Sequence, residues 1–257
     1  MLPHKSSILL PTLLAITLAC NASDKAVVAP TSATSLASVL IEDVPHVRQK
    51  PDFCGEALIE SYLRFRGESV DQDQVFAASG MDPGRGMGAT TSQMKRALQH
   101  YGFEVGDVWY RAKANREADM DRHFADLYED LQRGVPSIIC TRYDQSPNTT
   151  EHFRLVLGYD KDSDEVLYHE PAEDEGAYRR MSRSEFQSLW PLKYDKESWT
   201  VIRFRLDAEE IKAPTPKAMQ HSPADFAQHV MALRETLPSE YNIVVEPPFV
   251  VIGNGTK

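Results

Sequence analysis

Apolar residues recur at two different spacings along this chain, and the change from one to the other divides it. Just beyond Cys54 and Gly55, Leu58, Ile59, Tyr62, Leu63 and Phe65 fall three and four apart, and Gly67 ends the run. That spacing predicts an amphipathic helix starting at Cys54. Residues 71–79 predict a second helix. The glycine-rich stretch 80–88 reads as a mobile loop, because no GK[ST] follows it and no strand precedes it, as a phosphate loop would need. It leads to a helix capped at Thr90, with Gln93 in the capping-box position, running through Tyr101 to Gly102. A strand is expected over 103–110 and a long charged helix over 116–132, its charges marking a solvated face. From there the period shortens. Residues 137–143, 153–159, 165–169 and 199–206 read as strands, interrupted by one helix over 184–190 with Ser182 as its cap. Helices first and a largely antiparallel sheet afterwards make an α+β domain.

The ends have a different texture. His4 and Lys5 precede an apolar run over 8–19 that is too short for a stable membrane span. This is the pattern of a bacterial signal peptide. It closes on Thr17-Leu18-Ala19-Cys20, which resembles a lipobox although Thr17 stands where leucine is usual. Cys20 is therefore a candidate for lipidation, with ordinary cleavage after a small residue as the alternative. Residues 21–37 are rich in Ala, Ser and Thr, as in a solvated tether. At the other end, Pro214 and Pro216 mark a linker, and Ser222-Pro223 opens a helix reaching about Thr236. Two β-rich apolar runs then flank Pro247-Pro248. The expected organisation is a leader over 1–20, a tether over 21–38, a domain over 39–206 and a tail over 207–257. The tail reads as the start of a second module or a docking strand for a partner, or else packs back on the domain.

Composition narrows the function classes. The 42% of hydrophobic residues suffices for a core, and the net charge of −10 argues against nucleic acid or an anionic membrane surface as partner. Membrane contact is expected only through a lipid on Cys20. Of the three cysteines, Cys54 and Cys140 remain for an exported domain, where they could form a disulfide or stay as free thiols. No CxxC, no CxxH and no histidine pair four apart occurs, which argues against a structural zinc site, and no cofactor motif is present.

The candidate chemistry gathers around Cys54. It follows the turn dipeptide Pro51-Asp52, in which Asp52 can cap the helix. A thiol in a first helical turn meets unpaired amides and the positive end of the helix dipole, both of which lower its pKa. A small buried cysteine packing a helix end is the bland alternative. His152 opens a strand, where it could serve as a general base or stand as a surface residue. Neighbouring antiparallel strands would bring Glu170 beside it to orient the ring. Gln49 carries an amide donor suited to an oxyanion.

Gln49-Lys50-Pro51-Asp52-Phe53-Cys54-Gly55, the helix start at Thr91, Glu151-His152-Phe153 with Gly158-Tyr159-Asp160, and Glu170-Pro171 together resemble the papain-like cysteine peptidases. The nearer likeness is to the bacteriocin-processing, double-glycine leader peptidases and their secreted relatives, over about residues 44–206. The resemblance implies a papain-like fold and a peptide or protein substrate. It assigns Cys54 as nucleophile, His152 as general base and Gln49 as oxyanion donor. The family usually has Asp or Asn before the proline where this chain has Glu170, so Glu170 takes the orienting role with Asp174 as a weaker candidate. An inactive papain-like binding module, or a cell-wall amidase or acyltransferase using the same residues, are the alternatives the resemblance leaves open.

Overall fold

The computed structural model describes residues 36–213 and 221–255. Strand β1 (Val39–Leu40) is followed by helix α1 (Cys54–Phe65), α2 (Gln72–Ser79), a 3-10 turn at Pro83–Arg85 and α3 (Thr91–His100). Next come β2 (Trp109–Lys113), α4 (Glu117–Gln132), β3 (Ser137–Arg142), β4 (Glu151–Asp160), β5 (Glu165–His169), β6 (Arg179–Ser182), α5 (Arg183–Leu189) and β7 (Ser198–Arg205). The strands form one antiparallel sheet in the order β2-β7-β3-β4-β5-β6, with β1 added to β4. This is the expected α+β architecture of helices on an antiparallel sheet.

Strand period two sorts the core into two layers. Ile138, Cys140, Phe153, Leu155 and Leu157 pack on one face with Leu58, Tyr62 and Met94 from α1 and α3. Ile139, Val156 and Val201 pack on the other with Phe124 and Leu127 of α4 and Phe186 of α5. Because helices cover both faces, β4 is buried almost throughout instead of alternating between buried and exposed positions.

Several local expectations differ from the structure. The strand begins at Trp109, not at 103; Phe103, Val105 and Val108 bury their side chains from a segment outside any strand, without a strand's strict alternation. Thr90 precedes α3 without capping it, because its hydroxyl bonds the Gln93 side chain instead of a main-chain N–H. The two short strands β1 and β6 carry too few residues to show a period. The charges of α4 are not all solvated: Asp130 is buried and held by Arg133, Arg203 and Arg205. The 80–88 loop is fastened, with Asp82 capping the 3-10 turn and Gly88 N–H donating to Asp52 Oδ2 at 2.9 Å.

In the tail, α6 (Pro223–Thr236) starts with a full capping box between Ser222 and Asp225. Its Ala224 and Ala227 are buried against Phe53, Phe76 and Met81 of the helical half. Gln228 Nε2 donates to the Pro51 carbonyl at 2.9 Å. The strands β8 (Asn242–Glu246) and β9 (Phe249–Gly253) form a hairpin whose only sheet partners, among the described residues, are each other.

Removing residues 221–257 uncovers Phe53 and Phe76, at about 1.5–3 kcal/mol per buried apolar side chain. The shortened protein is expected to melt on the order of 5–10 °C lower in a calorimetric scan. An unchanged melting temperature would show that α6 contributes nothing to the fold it touches.

Candidate active site

The site is assembled from three pieces of chain: the strap 44–50, the start of α1, and the adjoining ends of β4 and β5. The strap runs along the segment that follows β5. His169 Nε2 bonds the Val44 carbonyl at 2.9 Å, His46 Nε2 bonds the Glu170 carbonyl at 2.9 Å, and Gln49 N–H donates to the Pro171 carbonyl at 2.9 Å. Beyond the strap, Asp52 takes a left-handed conformation at φ 61 and its carbonyl lies so close to Gly88 that no Cβ would fit there. Asp52 therefore serves the loop and not the helix. The N-cap of α1 is Phe53, without a side-chain bond, stacked on Phe76 at 5.0 Å.

Cys54 is the first residue of α1, packed against the core that includes Phe153 of β4, and the nearby main-chain amides of Phe153 and Gly55 act to lower its pKa. The thiol thus lies against β4, one residue from His152. Burial pushes it up to about 12, and the carboxylates of Glu56 and Asp52 add to the rise against the lowering by those two amides. The helix start does not make a resting thiolate. A dipole contributes about 0.3–1 kcal/mol, and desolvation outweighs it even at this half-buried position. Cys140 is also a free thiol, held well above its ordinary value by burial, so the two cysteines are unpaired by any disulfide.

His152 is buried, and its Nε2 meets Glu170 Oε1 at 2.5 Å. Its Nδ1 has no hydrogen-bond partner among the described residues, and the ring stands edge-on to Tyr143 at 5.1 Å. Glu170 Oε2 accepts from Arg154 Nε at 2.9 Å. The register explains both contacts: Leu155 pairs with His169, so one step further Glu170 faces Arg154 directly and His152 diagonally on the same side. Burial opposes ionisation of Glu170, but the bond and charge of His152 and the charge of Arg154 outweigh it and hold the carboxyl below its ordinary value. Asp174 lies elsewhere. It is exposed and pairs with Arg48 at 2.9 Å.

Gln49 is half-buried, and its carboxamide makes no hydrogen bond among the described residues, its Oε1 being enclosed. Cys20 lies outside the described residues.

Two residues of the site escaped the sequence reading. Arg154 is buried and spends its donors on Glu170, on Thr141 Oγ1 at 2.5 Å and on the carbonyls of Arg142 and Tyr143 at 3.1 and 2.8 Å. Its signal was a charge two positions from His152 in an apolar strand. Glu56 is fully buried, with Oε1 accepting from Ala89 N–H at 2.7 Å and Oε2 unpaired. Burial raises its carboxyl to about 7. No group of three or more metal-ligating side chains occurs among the described residues.

A carboxyl that binds its proton more tightly when folded stabilises the protein below its unfolded pKa and loses that contribution as pH rises. For Glu56 the window runs from 4.5 to about 7. Across it the wild type is expected to lose about 3 kcal/mol of unfolding free energy that Glu56→Gln does not lose. Urea titrations of both proteins at pH 4.5 and pH 7.5 measure the difference, and parallel pH slopes would refute it.

No curated protein sequence matches the chain. The peptidase domain of Streptococcus ComA, a bifunctional ABC transporter involved in a quorum-sensing pathway, is a similar solved structure: 19% identical, covering 64% of this chain and 98% of its own, with a TM-score of 0.41. The model of the Peptidase_C39 like family matches residues 41–197, from the strap to the start of β7 and so through every piece of the site. By that match the chain belongs to the Peptidase_C39 like family and is a papain-like cysteine peptidase.

Proposed function

We propose that the protein is an exported peptidase that hydrolyses peptide or amide bonds with Cys54 as nucleophile, His152 as base, Glu170 as orienter and Gln49 as oxyanion donor. The observation that carries this reading is the line of contacts from Arg154 through Glu170 to His152, beside a thiol packed against the core that includes Phe153 of the same strand. Glu170 fixes Nε2, so Nδ1 is the nitrogen left for the thiol proton.

The resting thiol keeps its proton. As Cys54 Sγ attacks the carbonyl carbon, His152 takes the thiol proton. The oxyanion gains the Gln49 amide and the first-turn N–H groups of α1, which have no intrahelical acceptor. The imidazolium then protonates the leaving amine and the thioester forms. Water, deprotonated by His152, attacks the thioester, and the proton returns to the sulfur as the acid leaves.

His152→Ala is expected to abolish turnover of a quenched-fluorescent peptide library, and Gln49→Ala to cost on the order of 10²–10³ in rate. Glu170→Gln keeps an acceptor for the ring and should cost less than His152→Ala. Alkylation of Cys54 by iodoacetamide should climb about tenfold per pH unit between pH 6 and 9, following the thiolate of a high-pKa thiol. Turnover by His152→Ala would end the triad reading. The raised thiol pKa also favours a second reading, a papain-like binding module without turnover, which a folded but inactive wild type would establish.

Export rests on the leader pattern over 1–20 and the lipobox-like Thr17-Leu18-Ala19-Cys20. Among the described residues no helix is long and apolar enough to cross a membrane. A lipid on Cys20 would anchor the protein at about 0.8 kcal/mol per buried methylene. Cys20→Ser should move it from the membrane to the soluble fraction on fractionation, and unchanged membrane association would count against the lipid.

A further inference from the structure

Gln49 reaches its place without belonging to any strand or helix. An extended chain alternates its polar groups, so the carbonyl of residue 48 and the N–H of residue 50 point to one side and the N–H of residue 49 to the other. Both sides are engaged here. Gln49 N–H donates to the Pro171 carbonyl at 2.9 Å, which ties it to the segment carrying Glu170. On the opposite side, the Gln72 side chain does the work of a neighbouring strand. Its Oε1 accepts from Lys50 N–H at 2.8 Å, and its Nε2 donates to the Arg48 carbonyl at 3.2 Å.

Gln72 is itself fixed. It is the first residue of α2, only 7% exposed, and its main-chain N–H donates to Glu60 Oε2 at 2.8 Å. Glu60 lies on α1, the helix that begins at Cys54, and is steadied by Arg64 one turn on. A bonded path therefore runs from the helix bearing the thiol, through Glu60 and Gln72, to the main chain on both sides of Gln49. Nucleophile and oxyanion donor must meet one carbonyl group from fixed positions, and a displacement of about 1 Å can cost on the order of 10²-fold in rate.

We infer that Gln72 is a positioning residue for the oxyanion donor, its carboxamide setting the place of Gln49 relative to Cys54. The inference rests on the peptidase reading above. Apolar packing alone does not explain it, because a hydrocarbon at this position would leave the Arg48 carbonyl and the Lys50 N–H unpaired.

The full-length wild type is assayed first with the peptide library and with a capped peptide aldehyde, whose hemithioacetal on Cys54 needs the same oxyanion donors. Wild-type protein that neither cleaves the library nor binds the aldehyde overturns the peptidase reading, and the positioning role with it. Given an active wild type, Gln72→Met should lower kcat and aldehyde affinity on the order of 10–10²-fold, with KM within about twofold. Its iodoacetamide rate should not change, because displacement of iodide at a saturated carbon creates no oxyanion. Gln72→Glu keeps the acceptor for Lys50 N–H but not the donor to Arg48, and should fall between. It also serves if Gln72→Met does not fold. Faster hydrogen exchange at the Lys50 amide in either variant reports release of the clamp. In a Gln49→Ala background the Gln72 substitution should cost nothing further in kcat. Additive losses, a parallel fall in alkylation, or released exchange with unchanged kcat would each overturn the role.

Discussion

One buried carboxylate organises this site. Glu170 is 2% exposed, and a charge so enclosed is tolerated only where each oxygen has a partner. Oε1 takes His152 and the Ala172 N–H at 3.1 Å, while Oε2 takes Arg154. Arg154 is held in turn by Thr141 and by the carbonyls of Arg142 and Tyr143, and lies over the rings of Tyr143 and Tyr168. The imidazole direction is thus determined by a chain of buried contacts across three neighbouring segments. Removing one member would leave another charge buried without its partner.

The same constraint accounts for a glutamate at position 170. The register sets Glu170 opposite Arg154, with His152 one diagonal away. A side chain one methylene longer than that of aspartate can span both. Its segment is closed by a bond from Glu170 N–H to the Gly176 carbonyl at 2.8 Å, and Gly176 sits so near the Glu170 carbonyl that a Cβ would collide with it. The strap 44–50 bonds along this segment, so the position of Gln49 depends on it as well.

Cys54 is governed by a contest between dipole and burial, and burial wins. The helix start and two main-chain amides favour a thiolate, but enclosure by α1 and β4, with Glu56 and Asp52 adding like charge, keeps the proton on sulfur. Helix α6, which buries Ala224 and Ala227 against Phe53, braces the turn that presents the thiol.

The local chemistry was legible in the linear order of residues. Helical spacing after Cys54, the strand-like run that His152 opens, and the turn before Cys54 are local signals, and they located α1, β3, β4, β5, β7 and the candidates Gln49, Cys54, His152 and Glu170. The partners of polar groups were not legible, because they depend on which distant segments meet. Asp52 could cap α1 by its position, yet it bonds Gly88; Thr90 and Gln93 could form a box, yet bond each other. Arg154 and Glu56 read as ordinary charges until the fold enclosed them. The free states of Cys54 and Cys140, the height of the thiol pKa and the bracket of Gln72 around Gln49 likewise belong to tertiary structure. Desolvation and long-range pairing have no period along a chain, and only the packed fold decides them.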